Sequence, residues 1–207
     1  MRPYKTAHTE AKTERIINRS RFISQCFPVR SEDEALSRLN EVRKQYPDAT
    51  HVCYAYRIGE LSETTRFSDA GEPSGTAGMP ILEVLKANEL TYVLCTVTRY
   101  FGGILLGAGG LVRAYSSGAA DAVKAAGVEK HIPGALIRGD YSRYGAIESL
   151  IAKSNAEITE SEFTDEIRLS ISCAKKEADS IIKAIIERTD GRCRPELAGE
   201  CELVLPQ

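Results

Sequence analysis

The chain has 207 residues, 43% of them hydrophobic and 27% charged, with a formal net charge of -2. This is globular composition with enough apolar surface for two small cores, and it excludes a disordered or fibrous chain. The near-neutral charge excludes a global cationic field for nucleic acid, although the first 30 residues carry seven basic and two acidic side chains and residues 132–207 carry 10 against 14.

The opening residues are polar and basic and lack the apolar segment of a secretory signal. No apolar run is long enough to span a bilayer, so the expected location is the cytoplasm, with no membrane partner. Six cysteines (Cys26, Cys53, Cys95, Cys173, Cys193 and Cys201) lie scattered without a CxxC pair, mostly inside apolar patterns. They read as buried free thiols of a reducing compartment rather than a disulfide or zinc framework.

Along the chain, residues 1–19 read as a basic lead-in. SRFISQCF (20–27) is rich in aromatic and β-branched types and ends at Pro28, as a strand does. Ser31 and Glu34 form a capping box ahead of an apolar stripe at Ala35, Leu39, Val42 and Tyr46, which Pro47 stops, so a helix is expected. HVCYAYRI (51–58) alternates, with Val52, Tyr54, Tyr56 and Ile58 on one face and His51, Cys53, Ala55 and Arg57 on the other, the pattern of a half-buried strand. RFSDAGEPSGTAGMP (66–80) crowds turn residues and predicts an ordered loop. A short helix over Met79–Asn88, entered through Pro80, and a very apolar strand over 90–101 follow. A glycine-rich segment (102–110) then leads into a helix over 111–127 that Gly127 ends.

Pro133-Gly134 is the expected boundary, giving domains 1–133 and 134–207. Beyond it the order is strand (ALIRGDYSR), helix (YGAIESLIAKSNA), two strands joined at Thr164-Asp165, a helix stopped by Gly191, and a last strand (PELAGECELVL). Such a βαββαβ run predicts a ferredoxin-like domain and an α+β class for the whole chain.

Three segments concentrate unusual residues: 68–78, 98–103 and 107–115. A helix starting near Gly109 and Gly110 presents unpaired N–H groups with partial positive charge, and phosphate could sit there with Arg113 or Arg99 nearby; the same glycines could instead serve turns and close helix-to-sheet packing. No Gly-Lys-Ser/Thr follows, so this is not a Walker A loop. Asp69 and Glu72 could bind a cation or share acid–base work. They could equally act structurally, Asp69 by an Asx turn and Glu72 by pairing with Arg66 or Arg99, and no third hard ligand is nearby. No metal and no cofactor are therefore expected. His51 and Cys53 sit side by side on one strand face, which is not base-to-nucleophile geometry, and Ser74, Ser116 and Ser117 lie in no nucleophile elbow. Tyr54, Tyr56, Tyr100, Phe101 and Tyr115, interleaved with Arg57, Arg66, Arg99 and Arg113, could stack bases and contact phosphate, or fill the core.

The run FSDAGEPSGTAGMPILEVL (67–85) followed by VTRYFGGILLGAGGLVRAY (97–115), with SRF (20–22) and ATHVCYAYRIG (49–59), resembles the YigZ/IMPACT family. The resemblance implies an N-terminal domain of the ribosomal protein S5 domain 2 type, also seen in domain IV of elongation factor G. It further implies a C-terminal ferredoxin-like domain similar to domain V of that factor. Such a pair suggests contact with RNA or the ribosome, and eukaryotic relatives regulate translation by competing for the co-activator of the amino-acid-starvation kinase. The expectation is a non-enzymatic cytoplasmic protein that binds RNA or a ribosomal surface through Arg66, Ser68, Asp69, Glu72, Arg99, Tyr100, Gly109, Gly110 and Arg113. In this reading Asp69 and Glu72 brace the loop, Arg99 and Arg113 meet phosphate, and Tyr100 stacks. The alternatives are a phosphate- or nucleotide-handling enzyme and a module that binds a protein partner.

Overall fold

A computed structural model describes residues 2–141, 144–154, 156–163 and 167–206. Residues 4–130 form one compact unit and residues 131–205 another.

In the first unit, strands β1 (Tyr4–Ala7), β2 (Ala11–Ile17) and β3 (Ser20–Pro28) precede helix α1 (Glu32–Gln45). Strands β4 (His51–Ile58) and β5 (Thr64–Ser68), helix α2 (Gly78–Ala87), strand β6 (Val93–Tyr100) and helix α3 (Gly107–Ala126) follow. The sheet runs β2-β3-β6-β4-β5 and is antiparallel throughout. Ser31 caps α1 by accepting from the Glu34 N–H at 3.2 Å, while the Glu34 carboxylate reaches back to the Arg30 N–H at 2.7 Å.

Both sheet faces are covered. Phe22, Cys53, Ala55, Cys95 and Val97 pack against Ile81, Leu85, Leu111, Tyr115 and Ala119 of α2 and α3. On the other face Phe27, Tyr56, Ile58 and Leu94 pack against Ala35, Leu39 and Val42 of α1. The alternation expected in β4 is therefore present, but the strand is buried on both sides rather than one, because α1 closes the second face.

Other expectations are corrected. The basic lead-in contains β1 and β2, and the loop expected from residue 66 begins only after β5. Helix α3 starts four residues before Leu111, so Gly109 and Gly110 lie in its first turn despite the low helix propensity of glycine.

The second unit is built from β7 (Val128–Tyr141), which begins within the first unit, α4 (Tyr144–Ile151), β8 (Glu157–Phe163), β9 (Ile167–Ala174), α5 (Ala178–Arg188) and β10 (Glu196–Pro206). Its strands run β8-β9-β7-β10. Ala135, Ile137, Leu169 and Ile171 of the strands meet Ile147 of α4 and Ile181 and Ile185 of α5 in a separate core. Gly191, at φ 74°, stops α5 and donates its N–H to the Ile186 carbonyl. The turn expected at Thr164-Asp165 lies outside the described residues. Among the described residues no helix is long and apolar enough to cross a membrane.

Candidate functional site

The loop between β5 and α2 is organised by one carboxylate. Asp69 Oδ2 accepts the Gly75 N–H at 2.8 Å, and Oδ1 accepts those of Ala77 at 3.0 Å and Gly78 at 2.8 Å. Burial alone would raise its pKa, but the three N–H donors outweigh that and hold the carboxyl below its ordinary value. Gly78 is required here because a Cβ would stand 2.7 Å from the Ser68 backbone. Ser68 contributes a second turn bond by accepting the Ala70 N–H at 3.1 Å.

Folding the loop this way carries Glu72 inward, to 8% exposure. Arg99 lies on the same face of β6 as Val97 and Cys95, towards the helices, and is 5% exposed. Its Nη1 donates to Glu72 Oε1 at 2.6 Å, its Nη2 donates to Ser20 Oγ at 3.4 Å, and its guanidinium lies 5.4 Å from the ring centroids of both Phe22 and Phe101. Tyr115 of α3 donates its hydroxyl to the same Glu72 oxygen at 2.8 Å. Burial, the Cys53 thiol and the Glu72 charge push the Tyr115 phenol far above its ordinary range, so it remains a donor.

Arg99 is thus interior, not a surface cation. The alternation of β6 points it at the core, and a buried guanidinium persists only with a carboxylate partner, which Glu72 supplies. Tyr100 points the other way; its hydroxyl donates to Asp48 at 3.0 Å and Arg21 lies over its ring. Arg66 on β5 and Arg113 on α3 are exposed. The expected contact residues therefore divide: Asp69, Glu72 and Arg99 form an internal brace, while Arg66, Arg113 and the α3 start at Gly109 and Gly110 face outward.

His51 pairs in register with Arg99 across β4 and β6. Its Nδ1 is 2.9 Å from the Ala70 carbonyl and its Nε2 is 3.9 Å from Glu72 Oε1. Cys53, beside it, is fully buried, donates to the Asp69 carbonyl at 2.9 Å and has its pKa pushed up to about 12, chiefly by burial, so it is an inert thiol. Above these groups opens a cavity of about 370 Å³, walled by His51, Glu72, Phe101, Leu105, Leu106 and Leu111. Sequence reasoning missed His51 as part of a site. Its signal was the strand face it shares with Cys53, but only the register across to Arg99 shows what it faces.

Residues 18–123 match the Impact N-terminal domain and residues 137–192 match a domain of unknown function, DUF1949. IMPACT family member YvyE of Bacillus subtilis (strain 168) is 37% identical over 191 residues, covering 91% of this chain and 88% of its own. The chain belongs to the IMPACT family. The IMPACT family member in pol 5'region of Thermus thermophilus is 39% identical over 180 residues, covering 86% of this chain and 97% of its own. A solved structure described as a hypothetical protein aligns over 95% of this chain and 98% of its own, with 27% identity and a TM-score of 0.61. The two segments that build the Arg99–Glu72 brace, 67–85 and 97–115, both lie inside the Impact N-terminal match.

Proposed function

We propose that this IMPACT family member acts in translation by binding RNA or a ribosomal surface through its first unit, with the N-terminal turn of α3 and Arg113 as the phosphate contact and Arg66 as a second. One observation carries this reading. The Arg113 guanidinium folds back over the first turn of α3, its Nη1 3.8 Å from where a Cβ on Gly109 would stand, and that turn has neither a side-chain cap nor an acidic residue. Free N–H groups, a helix dipole and a guanidinium then converge where a phosphate would sit, with Gly109 and Gly110 allowing close approach.

Among the described residues Arg66 donates only to the carbonyl of its neighbour Thr65, whereas Arg15, Arg21 and Arg38 are each paired with a carboxylate. Ser68 and Asp69 fix the loop that follows Arg66. Glu72 and Arg99 act beneath the surface, and Tyr100 flanks it.

Support also comes from fold analogy. The strand order β8-β9-β7-β10 suits a ferredoxin-like domain over 134–207, and the sheet with its helices suits an S5 domain 2-like domain over 1–133, both folds of translation factors.

The test is anisotropy of a labelled single-stranded RNA across a salt series, together with sedimentation of ribosomes. Wild type should bind less as salt rises, and Arg66→Ala/Arg113→Ala should weaken binding and flatten the log–log salt slope by about 1.4–1.8, roughly 0.7–0.9 per lost phosphate contact. Absent or salt-independent RNA binding with no ribosome association would sink the reading.

A further inference from the structure

The cavity beside the α3 start has chemistry that a phosphate contact leaves unused. Its volume of about 370 Å³ is that of a small-ligand pocket. Phe101, Leu105, Leu106 and Leu111 make its walls apolar, and Phe101 is 45% exposed, with Arg99 below its ring. Leu105, 85% exposed, stands at the rim with no core to fill.

Two polar groups at its floor, His51 and Glu72, present acceptors. The Ala70 carbonyl can only accept, so His51 Nδ1 carries a proton, and in the neutral ring Nε2, 3.9 Å from Glu72 Oε1, presents a lone pair. Glu72 beside it is a hydrogen-bond acceptor as well, with Oε1 already receiving Arg99 and Tyr115. Arg99 also lines the cavity; its Nη1 donates to Glu72 and its Nη2 to Ser20, while its Nε is buried without a hydrogen-bond partner among the described residues. An apolar slot with an aromatic flank and acceptors at its floor fits a flat ring that carries N–H donors on its edge. Every nucleobase has such an edge and a face that stacks on an aromatic ring.

We infer that the cavity seats one unstacked base of the bound RNA, which stacks on Phe101 and donates an N–H to His51 Nε2. This rests on the RNA-binding reading above. The phosphate of the same strand then lies at the α3 start, whose Gly107 and Ala108 form the adjoining cavity wall.

The experiment uses the full chain with two probes. Adenosine, cytidine, guanosine and uridine are titrated separately while amide resonances of Gly71, Gly107 and Ala108 are followed, and an RNA octamer is compared with the same octamer carrying one abasic position. At least one nucleoside should shift those resonances saturably, and the abasic octamer should bind less tightly. Phe101→Ala, checked for an unchanged melting temperature, should weaken nucleoside binding about tenfold, in line with the usual loss of one stacking partner. His51→Phe, checked for an unchanged melting temperature, should abolish it. Silence from all four nucleosides, with both octamers bound equally and salt-dependently, overturns the base pocket and leaves the RNA reading standing. No octamer binding at any salt overturns both.

Discussion

Arg99 and Glu72 show how a buried ion pair commits its surroundings. Removing both from water is costly, and the cost is met only because Tyr115, Ser20 and two aromatic faces complete the arrangement. Arg99→Met should therefore destabilise the chain by about 3–5 kcal/mol by stranding the Glu72 charge, and Arg99→Met/Glu72→Leu should regain much of that, as read from urea unfolding midpoints at constant slope. A double mutant no more stable than the single would show that the pair is not the source of the loss. Asp69 has a different signature. Its carboxyl is held below its ordinary value, so its contribution to stability is fully present above about pH 4 and is lost as pH falls through the lowered folded value. The stability gap between wild type and Asp69→Asn should accordingly be constant near neutrality and close below about pH 4 in acid-unfolding curves. A gap that widened on acidification would reverse the sign and refute the assignment. Asp69 and Glu72 could be singled out in the sequence as a carboxylate pair. Their separate duties could not, since three N–H donors and one guanidinium reach them only after the loop closes.

At the scale of elements, legibility followed burial. Strands β3, β4 and β6 and helices α1 and α2 advertise themselves by apolar periodicity because each fills a core. Strands β2 and β5 lie at the sheet edges with no fully buried side chain, so no apolar stripe marks them, and hydrogen bonding to β3 and β4 forms them. The β2–β3 turn hides in the same way. Asn18 and Arg19 both take positive φ, 46° and 64°, as a tight hairpin demands, without the glycine that usually announces one. Gly102 lies against that turn, where a Cβ would stand 2.1 Å from the Arg19 backbone. Helix starts were readable where a side chain caps them: Ser31→Ala should cost about 1 kcal/mol in chemical denaturation, and Ser31→Asp about nothing. Equal losses for both would mean that the hydroxyl is not capping.

For the whole molecule, the cores of the two units share no residue among those described and predict two separable responses. Ile185→Ala should remove about 2–5 kcal/mol from the unit that holds α5 and lower one calorimetric transition, while Arg99→Met lowers the other. A single transition moved equally by both substitutions would contradict independent cores. The α+β class, the βαββαβ order from β7 onward, five buried thiols and the family are legible from the residues alone, because periodicity, caps and two long glycine-rich segments are local in the chain. That Arg99 faces inward and that His51 lines a cavity emerges only once the chain has folded. Each of those placements depends on strand register and on loop closure between residues far apart in the chain, and no local pattern encodes such long-range contacts.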